Sequence, residues 1–488
     1  MSALRNLAFF VFAGLAVLLV AFPATGDVTV VNMIPKANSG ETNQDSEPNL
    51  AVNPRNPQHI AGSAFTPDPN GGPNAPIFVT KNGGKTWLLN TIVPSLPNRA
   101  TSDITVRFSG KNNLYAGILR IPGGLRLNIL RTNNFLGAST MTVLVDRTGA
   151  GVDQPYVQAH TTGGEDRVYV GNNDFSSPGG KTATVDQSLD AGLPTPMFQS
   201  IRIEKRTTSG QDGPPIRPAI HADGTVYAAF YGWRSFTGGI ATADVVVVRD
   251  DAGGSGPNPF TALLDVPGDG LAGRRVVTDV TVPFENFSHP NFGQERFVAS
   301  NLSIAVDPRR GKSGTVYVAW ADRANPTAPY TIHVRGSTDK GGTWSTVDLR
   351  TIPNATNPAL AINSRGMVGF LYQQVCDTDS GQRWNTCFER TNSNFTAVHG
   401  VVLASVPAGV PLPQFLPYVG DYVHVMAVGN EFFGIFSANN TPNADNFPNK
   451  VKYQRNAVFD RTSPKLLGVD GTTPVGVSID PFFFKVTK

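Results

Sequence analysis

The sequence predicts an all-β fold, a β-propeller whose blades each contain four antiparallel strands. A unit of short apolar runs repeats along the chain at intervals of roughly 50 to 65 residues, within the range of the longer propeller repeats. The 50 glycines and 38 prolines separate these runs, as expected for many short strands joined by turns. Only 16% of the residues are charged, and no long amphipathic helix pattern is present.

Residues 1–26 have the pattern of a secretory signal peptide. A charged start at Arg5 precedes an apolar core at 7–22, and the small residues Ala24 and Gly26 follow. We therefore expect export, with the mature chain secreted, periplasmic or held at the cell surface. An uncleaved membrane anchor is the alternative, although the apolar core is shorter than the ~20 residues of a spanning helix. No later stretch is apolar enough to cross a bilayer.

Residues 27–488 are expected to form one propeller domain, because no linker divides them. One interval between repeats is longer than the others. We assign the excess to an insertion at about 252–299, either a surface loop or a lid over the site. The formal net charge of +3 is too near balance to indicate binding to nucleic acid. The sequence gives no indication of the oligomeric state.

The clearest unit spans residues 301–344. Its strands are expected at 302–306, 315–320, 330–334 and near Val347. A tight turn at 337–344 leads from the third strand to the fourth. Ser337 and Asp339 can bond backbone N–H groups of that turn, and its two adjacent glycines permit positive φ. Four strands cannot bury both faces of their sheet alone, so neighbouring sheets must stack on it.

Aligning the first two strands of each unit gives seven units. Their first strands are expected to start at Glu47, Asp103, Gln154, Arg217, Asn301, Asn357 and Asp421. Six blades are the alternative, if the second or the last unit is an elaboration. Ring closure requires a terminal strand in the last blade. We expect 28–33 or 482–486 to supply it, beside a strand near 451–454.

Every residue of that series is polar, and each strand turns apolar directly downstream. The innermost strand of a propeller blade starts at the mouth of the central channel, so the seven residues are expected to form a ring there. Around it we expect the ends of the second strands, with Tyr418 and Tyr422 beside the last ring position. These strand ends are Arg120, Asp174, Trp233, Arg234, Asp322 and Arg323.

This combination of aromatic rings, carboxylates and arginines is suited to sugars, and an arginine cluster favours an acidic sugar. Carboxylates that converge on the channel axis repel one another and require a partner. Ca²⁺ held by oxygen ligands at the mouth is one solution, and pairing of Arg217 with Asp153 or Asp103 is another. At each position a polar residue that only hydrates the channel remains the alternative.

The turn Ser337-Thr-Asp-Lys-Gly-Gly-Thr-Trp344 resembles the Asp-box, Ser-x-Asp-x-Gly-x-Thr-Trp, of sialidase-type β-propellers. A second copy spans 80–87 with Asn82 in place of the aspartate, and a third spans 188–192 without the tryptophan. In that family the box lies on the face away from the active site. The resemblance therefore implies a propeller blade and does not identify a sialidase.

By the same resemblance, a sialidase-like glycoside hydrolase would use a tyrosine nucleophile activated by a carboxylate. Tyr422 beside Asp421 is the expected nucleophile, with Asp103 or Asp153 as acid or base. The expected substrate-binding residues are Glu47, Arg120, Arg217, Arg234, Arg323 and Trp233. Two alternatives stay open. One is a non-catalytic binding scaffold at the cell surface or envelope, and the other is a uronate-type lyase using His221, His289 or His424.

The only two cysteines, Cys376 and Cys387, flank a polar loop between two strand-like runs. A disulfide across the hairpin is expected in an exported protein. A pair of free thiols is the alternative, and this spacing alone does not make a metal site.

Overall fold

The computed structural model describes residues 27–65, 74–98, 100–121, 125–147, 151–176, 182–207, 215–237, 240–282, 284–285, 297–298, 301–325, 328–412 and 418–487. The predicted signal peptide and His289 lie outside these ranges. Within them the chain forms strands, with short 3-10 helices only at Lys36–Asn38 and Ala444–Asn446. None of the described helices is both long enough and apolar enough to cross a bilayer.

The first strand, β1, spans Val28–Asn32. Three four-stranded sheets follow, which we number in chain order. Sheet 1 contains β2–β5 (Ser46–Val52, Ile60–Phe65, Ile77–Thr80, Leu88–Asn90), sheet 2 contains β6–β9 (Ala100–Phe108, Leu114–Ile121, Arg126–Thr132, Thr142–Arg147), and sheet 3 contains β10–β13 (Val152–Thr162, Glu165–Asp174, Thr182–Ser188, Gln199–Arg202).

The next three four-stranded sheets repeat this order. Sheet 4 contains β14–β17 (Ile216–Ile220, Val226–Thr237, Ile240–Asp250, Arg274–Val282). After the short pair β18 and β19 (Phe284–Glu285, Phe297–Val298), sheet 5 contains β20–β23 (Leu302–Val306, Val316–Asp322, Thr331–Ser337, Arg350–Pro353) and sheet 6 contains β24–β27 (Ala355–Ile362, Val368–Thr378, Gly381–Thr391, Val398–Pro407).

The last four-stranded sheet, sheet 7, combines both ends of the chain in the order β1-β33-β29-β28. Its other strands are β28 (His424–Val428), β29 (Glu431–Asn439) and, after the small sheet β30–β32 (Ala457–Val458, Lys465–Leu467, Pro474–Val475), β33 (Ile479–Val486). Both predicted terminal segments therefore belong to the last sheet. The expected strand at 451–454 is reduced to a single parallel bridge between Lys452 and Val31.

The buried hydrophobic residues form seven clusters within the described part of the chain, and each lies between two sheets. Six join sheets that follow one another in sequence. The seventh packs Phe433 and Phe483 of sheet 7 against Leu50 and Phe78 of sheet 1. The innermost strand of each sheet also contacts that of the next, and β2 contacts β28. This all-β arrangement of four-stranded antiparallel sheets is consistent with a propeller.

The representative unit agrees with its prediction except in its fourth strand. That strand lies at Arg350–Pro353, whereas Val347, where we expected it, is 71% exposed. The turn extends further than its eight-residue motif, because the N–H of Ser345 donates to the oxygen of Gly336 at 2.8 Å. The ladder with β22 then resumes when the N–H of Leu349 donates to the oxygen of Val334.

Part of the predicted insertion at 252–299 belongs to a four-stranded sheet. It contains β17, the fourth strand of sheet 4, which pairs with β16. The irregular residues before β17 pack back on the sheets, since Phe260 is fully buried and Leu263 is 4% exposed. Most of the residues after β17, 283–299, lie outside the described residues.

The predicted disulfide is wrong, because both thiols are free. In the β25–β26 hairpin Cys376 pairs with Arg383, and Cys387 pairs with Tyr372. The two cysteines are therefore four positions apart along the ladder, about 13 Å at ~3.3 Å per residue. A disulfide requires Cα atoms within about 7 Å.

The turns at 337–344 and 80–87 have the local hydrogen bonds expected from their sequences. The carboxylate of Asp339 accepts hydrogen bonds from the N–H and hydroxyl of Thr343, each at 2.8 Å, and from the hydroxyl of Ser337. In the second turn Asn82 accepts from the N–H of Thr86 at 3.0 Å, and Trp87 is 1% exposed. The turns therefore stabilise the edges of sheets 5 and 1.

Replacing the Asp-box carboxylate in Asp339→Ala is expected to lower the free energy of unfolding by about 1–2 kcal/mol, because several hydrogen bonds are lost together. Hydrogen bonds also lower the pKa of Asp339, although its burial opposes them. This contribution to stability is present above the unfolded-state pKa and is lost as the pH falls through the lower folded-state pKa. Denaturant unfolding at pH 7 and pH 3 measures both effects. The surface variant Asp251→Ala is the control, and equal losses in the two variants would contradict the assignment.

Both cysteines are expected to react with iodoacetamide in denaturant without any reductant. In the native protein Cys387 should stay unlabelled, because burial raises the pKa of its thiol to about 12. Intact-mass spectrometry counts the labels. A protein that takes up two labels only after reduction would show that the thiols are joined.

Candidate site at the mouth of the central channel

Four of the seven inner strands contain the same β-bulge, in which two residues lie opposite one on the neighbouring strand. The ladder skips between Ser46 and Asn49, and equivalent shifts occur in β6, β10 and β24. The bulged pairs contain the predicted ring residues Glu47, Asp103, Gln154 and Asn357. Such bulges turn a side chain out of the regular pleat and are over-represented beside active sites.

The backbone is strained at three of these four bulges. Glu47, Gln154 and Asn357 have φ values of 53°, 55° and 53°, in the left-handed region that side chains with a Cβ rarely adopt. Each is followed by a proline, which has no N–H to place in the ladder. Strain of this kind persists where the surrounding structure fixes it, and it is concentrated at functional sites.

The segment before β28 joins the ring residues of three other sheets. Asp421 accepts a hydrogen bond from the side-chain amide of Gln154 at 3.2 Å. The oxygen of Gly420 accepts from the amide of Asn357 at 2.9 Å. Glu47 packs so closely on Gly420 that a Cβ there would overlap its side chain. Sheets 1, 3 and 6 thus meet the start of the innermost strand of sheet 7 at one place.

Arg217 supplies the positive charge at this place. Its guanidinium carbon lies 4.5 Å from the ring centre of Tyr156 and 5.5 Å from that of Tyr422. Burial lowers the pKa of Arg217, and the nearby tyrosines with Asp421 and Asp103 oppose that shift. The charges of Asp421 and Asp103 therefore act on Arg217, which is one of the two partners predicted for the converging carboxylates.

Tyr422 has a buried hydroxyl that makes no hydrogen bond within the described part of the chain. The residue is 6% exposed. Its pKa is well above the usual value, mainly because of burial and then because of the charges of Asp103 and Glu47, while Arg217 opposes the shift. A buried hydroxyl without a partner costs free energy. A ligand bound at this place would give the Tyr422 hydroxyl the partner that it lacks.

A cavity of about 170 Å³ lies beside Tyr422, between the inner strands of sheets 2 to 7. Its remaining walls are largely apolar residues of the inner strands, and its polar lining is Arg107, Tyr156, Gln158, Arg217, Ser303, Tyr422 and His424. The volume is below the ~300–1,000 Å³ of pockets for drug-sized ligands. The channel therefore suits one end of a ligand rather than the whole of an extended chain.

Arg107 and His424 give the cavity positive charge and a neutral imidazole. No carboxylate or hydrogen-bond acceptor pairs with the Arg107 side chain among the residues that the structure describes. His424 accepts a hydrogen bond at Nδ1 from the N–H of Leu50 at 3.1 Å. Burial, together with Arg107 and Arg217, lowers the pKa of His424 to about 3. The imidazole is thus uncharged at neutral pH.

Sequence reasoning missed the contribution of Arg107, Tyr156 and Gln158. We expected the inner strands to turn apolar below the ring, whereas these polar residues line the cavity. Tyr156 and Gln158 alternate along β10, so they lie on one face of that strand. A search for polar residues with a period of two below the ring would have found that pair.

Other predicted site residues lie elsewhere. Arg120 is fully buried in sheet 2, where it donates to Asn128, Asn74 and the oxygen of Pro94. Arg234 pairs with Asp244 at 2.8 Å and with Glu204 at 3.2 Å. These two arginines serve local acceptors beside sheets 2 and 4.

Arg323 and Trp233 are also placed by packing. The guanidinium of Arg323 lies 5.5 Å from the ring centre of Tyr330, and the backbone N–H of Arg323 donates to the oxygen of Thr281. Trp233 is fully buried between sheets 4 and 5, so its ring offers no surface to a sugar. The four predicted arginines therefore do not converge.

The remaining predicted polar positions have structural contacts. Asp153 accepts from the N–H of Gln154 at 2.9 Å and so supports the bulge. Asn301 accepts from the N–H of Asn357 at 2.6 Å. The others bond within their own region: Asp174 with Arg147, Asp322 with His333, Tyr418 with the oxygen of Pro407, and His221 with the oxygen of Arg309.

No protein-family model matches the chain, and no curated protein shows significant similarity. Among solved structures, the chain is similar to an α-L-arabinofuranosidase from Fusarium graminearum bound to an iminosugar inhibitor. The identity is 10%, the TM-score is 0.45, and 77% of this chain and 98% of the other are covered. An α-L-arabinanase from Penicillium chrysogenum, complexed with arabinobiose, has 12% identity, a TM-score of 0.43 and coverages of 77% and 97%.

A leech intramolecular trans-sialidase complexed with 2,7-anhydro-Neu5Ac is also similar. It has 12% identity and a TM-score of 0.42, with 79% of this chain and 71% of the other covered. With TM-scores below 0.5, these likenesses are too distant to assign residues or an activity to this chain.

Removing the charge of Arg217 in Arg217→Met is expected to lower the free energy of unfolding at pH 7 by about 3–5 kcal/mol, because buried carboxylates lose their partner. The deficit should narrow as the pH falls toward 4, since protonation removes the repulsion. Denaturant unfolding across this range measures it. The exposed pair Arg461 and Asp445 gives the control Arg461→Met, with an expected loss below about 1 kcal/mol. A deficit that does not change with pH would contradict the charge cluster.

Proposed function

We propose that this protein is an exported, closed propeller of seven blades that acts on glycans, and that the mouth of its central channel binds an acidic saccharide. The seven clusters of buried residues, one of them between sheet 7 and sheet 1, support closure and the blade count. The pattern of residues 1–26 supports export.

The observation that carries the proposal is the environment of Tyr422. Its hydroxyl is buried without a partner, the guanidinium of Arg217 lies over its ring, and Asp103 and Glu47 are close enough to raise its pKa. A cavity opens beside it. A cation, carboxylates and a free hydroxyl around one cavity are the groups needed to bind a charged sugar and to move protons on it.

Two arginines support an acidic rather than a neutral ligand. Arg217 and Arg107 both line the cavity, and no ion pair involves Arg107 among the described residues. A carboxylate on the sugar can accept paired hydrogen bonds from a guanidinium. The cation–π contacts with Tyr156 and Tyr422 hold Arg217 in place for this.

The enzymatic form of this proposal is a sialidase-like glycoside hydrolase. The hydroxyl of Tyr422 attacks the anomeric carbon, and a carboxylate, Asp103 or Glu47, accepts its proton. The raised pKa of Tyr422 makes this base essential, because the free phenolate is not formed at neutral pH. The other of these two carboxylates, in its acid form, protonates the leaving group as its bond to the sugar breaks. That carboxylate then takes a proton from the water that attacks the anomeric carbon, and the released tyrosine recovers its proton from the first carboxylate.

The second proposal is a non-catalytic binding scaffold. A specific observation favours it, because Arg120, Arg234 and Arg323 serve local partners instead of joining Arg217. The arginine triad that the sialidase resemblance implies is thus absent from the described residues of the mouth. A lyase is less favoured, because Nδ1 of the candidate base His424 already accepts the N–H of Leu50.

Tyr422→Phe is expected to reduce turnover of the cleaved substrate by at least ~10³-fold. Stability should stay the same or rise, because the hydroxyl makes no hydrogen bond to lose and its burial without a partner costs free energy. The measurement is a screen of fluorogenic sialosides and uronosides with the purified protein, followed by kinetics on any substrate that is cleaved. Tyr317→Phe is the matched control: it removes a hydroxyl that donates to Ser393 at 2.8 Å and should leave turnover unchanged.

Binding measurements separate the two proposals. Isothermal titration with acidic oligosaccharides should show affinity that falls in Arg217→Met and Arg107→Met. Binding without turnover establishes the scaffold. If Tyr422→Phe turns over at the wild-type rate, the hydrolase assignment is wrong, and if neither arginine affects binding, the site itself is wrong.

A further inference from the structure

A second group of buried carboxylates lies outside the channel cavity, where the two ends of the chain meet. Glu41 and Asp45 precede β2, and Asp480 belongs to β33. Oxygens of the three carboxylates all lie within 4.8 Å of one another. The residues are 7%, 0% and 0% exposed. Folding therefore brings three acids from opposite ends of the sequence into one dry position.

Arg455 supplies positive charge to two of the three acids. It is fully buried, and its Nη1 lies 3.0 Å from Asp480 and 3.9 Å from Glu41. Its Nη2 donates to the backbone oxygens of Ser39 and Glu41. One guanidinium against these two carboxylates leaves a negative charge when both are ionised, and an uncompensated buried charge costs several kcal/mol.

The hydrogen bonding of the three acids is uneven. Asp480 is held by donors from Asn32, Asn440 and Ser478 at 2.6–3.2 Å. Glu41 has fewer donors. Its Oε1 accepts a hydrogen bond from the N–H of Asn43, but its Oε2 has no hydrogen-bond donor in the described part of the chain. The Glu41 side chain is only 2% exposed, so water from the surface does not supply one. This unsatisfied oxygen points to a positive ligand.

We propose that Glu41, Asp45 and Asp480 bind a divalent cation, and that the cation is Ca²⁺. Carboxylate oxygens are hard ligands, which suit Ca²⁺ and Mg²⁺ rather than softer metals. Mg²⁺ usually keeps several of its waters and is seldom bound by protein ligands alone, whereas Ca²⁺ is readily held by carboxylate and backbone oxygens in flexible geometry. A buried group of three carboxylates therefore fits Ca²⁺ better than Mg²⁺. The charge of the ion also offsets the negative charge that Arg455 leaves uncompensated.

This ion joins the segment before the first sheet to the third strand of the last sheet. Asp45 also bonds there through its backbone, since its N–H donates to the oxygen of Ile479 at 2.9 Å. A cation at this point therefore stabilises the junction between sheets 1 and 7. The inference does not depend on what the channel binds.

The test is a thermal-unfolding titration of protein first freed of metal with a chelator. Added Ca²⁺ should raise the melting temperature saturably by about 3–5 °C, and Mg²⁺ should raise it less. Elemental analysis after gel filtration should find one Ca²⁺ per chain. Glu41→Gln and Asp45→Asn should lose both the bound ion and the shift, with circular dichroism confirming that each variant is folded.

Asp103→Asn and Asp421→Asn are the matched controls, because they remove carboxylates from the channel mouth and should leave the Ca²⁺ shift intact. A shift lost in these variants but kept in Glu41→Gln would place the ion at the mouth and overturn the proposal. Wild-type protein that binds no Ca²⁺ and shows no shift would overturn it without reference to any variant.

Discussion

Each four-stranded sheet has two apolar faces, and only the neighbouring sheets can cover them. This constraint explains why the buried residues form clusters between consecutive sheets and why a further cluster joins sheet 7 to sheet 1. It also explains why strands from both ends of the chain lie in the last sheet. An open stack would leave two sheets with an exposed face, whereas β1 and β33 complete the last sheet, which packs on the first.

The stacking of the sheets brings together polar side chains that are far apart in the sequence. The inner strands of sheets 1, 2, 3 and 6 reach the channel mouth through bulges, and positive φ values at Glu47 and Gln154 show that the backbone is strained there. Packing between the sheets does not require this backbone strain, because β14 of sheet 4, which contains Arg217, pairs with β15 without a bulge. The strained positions, the buried charges and the unpartnered hydroxyl of Tyr422 coincide, which is the expected mark of a functional site.

Much of this could be predicted from the pattern of the sequence. A polar residue before each apolar run led to the prediction that Glu47, Asp103, Gln154, Arg217 and Asp421 lie together, and the structure brings these residues to one place. The same argument failed for Trp233 and Arg120, since the end of a second strand does not decide which face a side chain takes, and successive residues face opposite ways. The disulfide between Cys376 and Cys387 was wrongly predicted for a related reason. The register of their hairpin depends on its turn, and the number of residues between the two cysteines does not specify that turn. Arg107 was missed because its importance depends on the cavity that it lines, and the sequence does not show that cavity.

The central claim is that the mouth between Arg217 and Tyr422 is where an acidic saccharide binds. A crystal structure of the protein soaked with a sialic acid or uronic acid monosaccharide tests it most directly. The account predicts sugar density in the channel, with the carboxylate against the guanidinium of Arg217 and a sugar oxygen within hydrogen-bond distance of the Tyr422 hydroxyl. Sugar bound at the outer edges of the sheets, with the channel mouth unchanged, would contradict it.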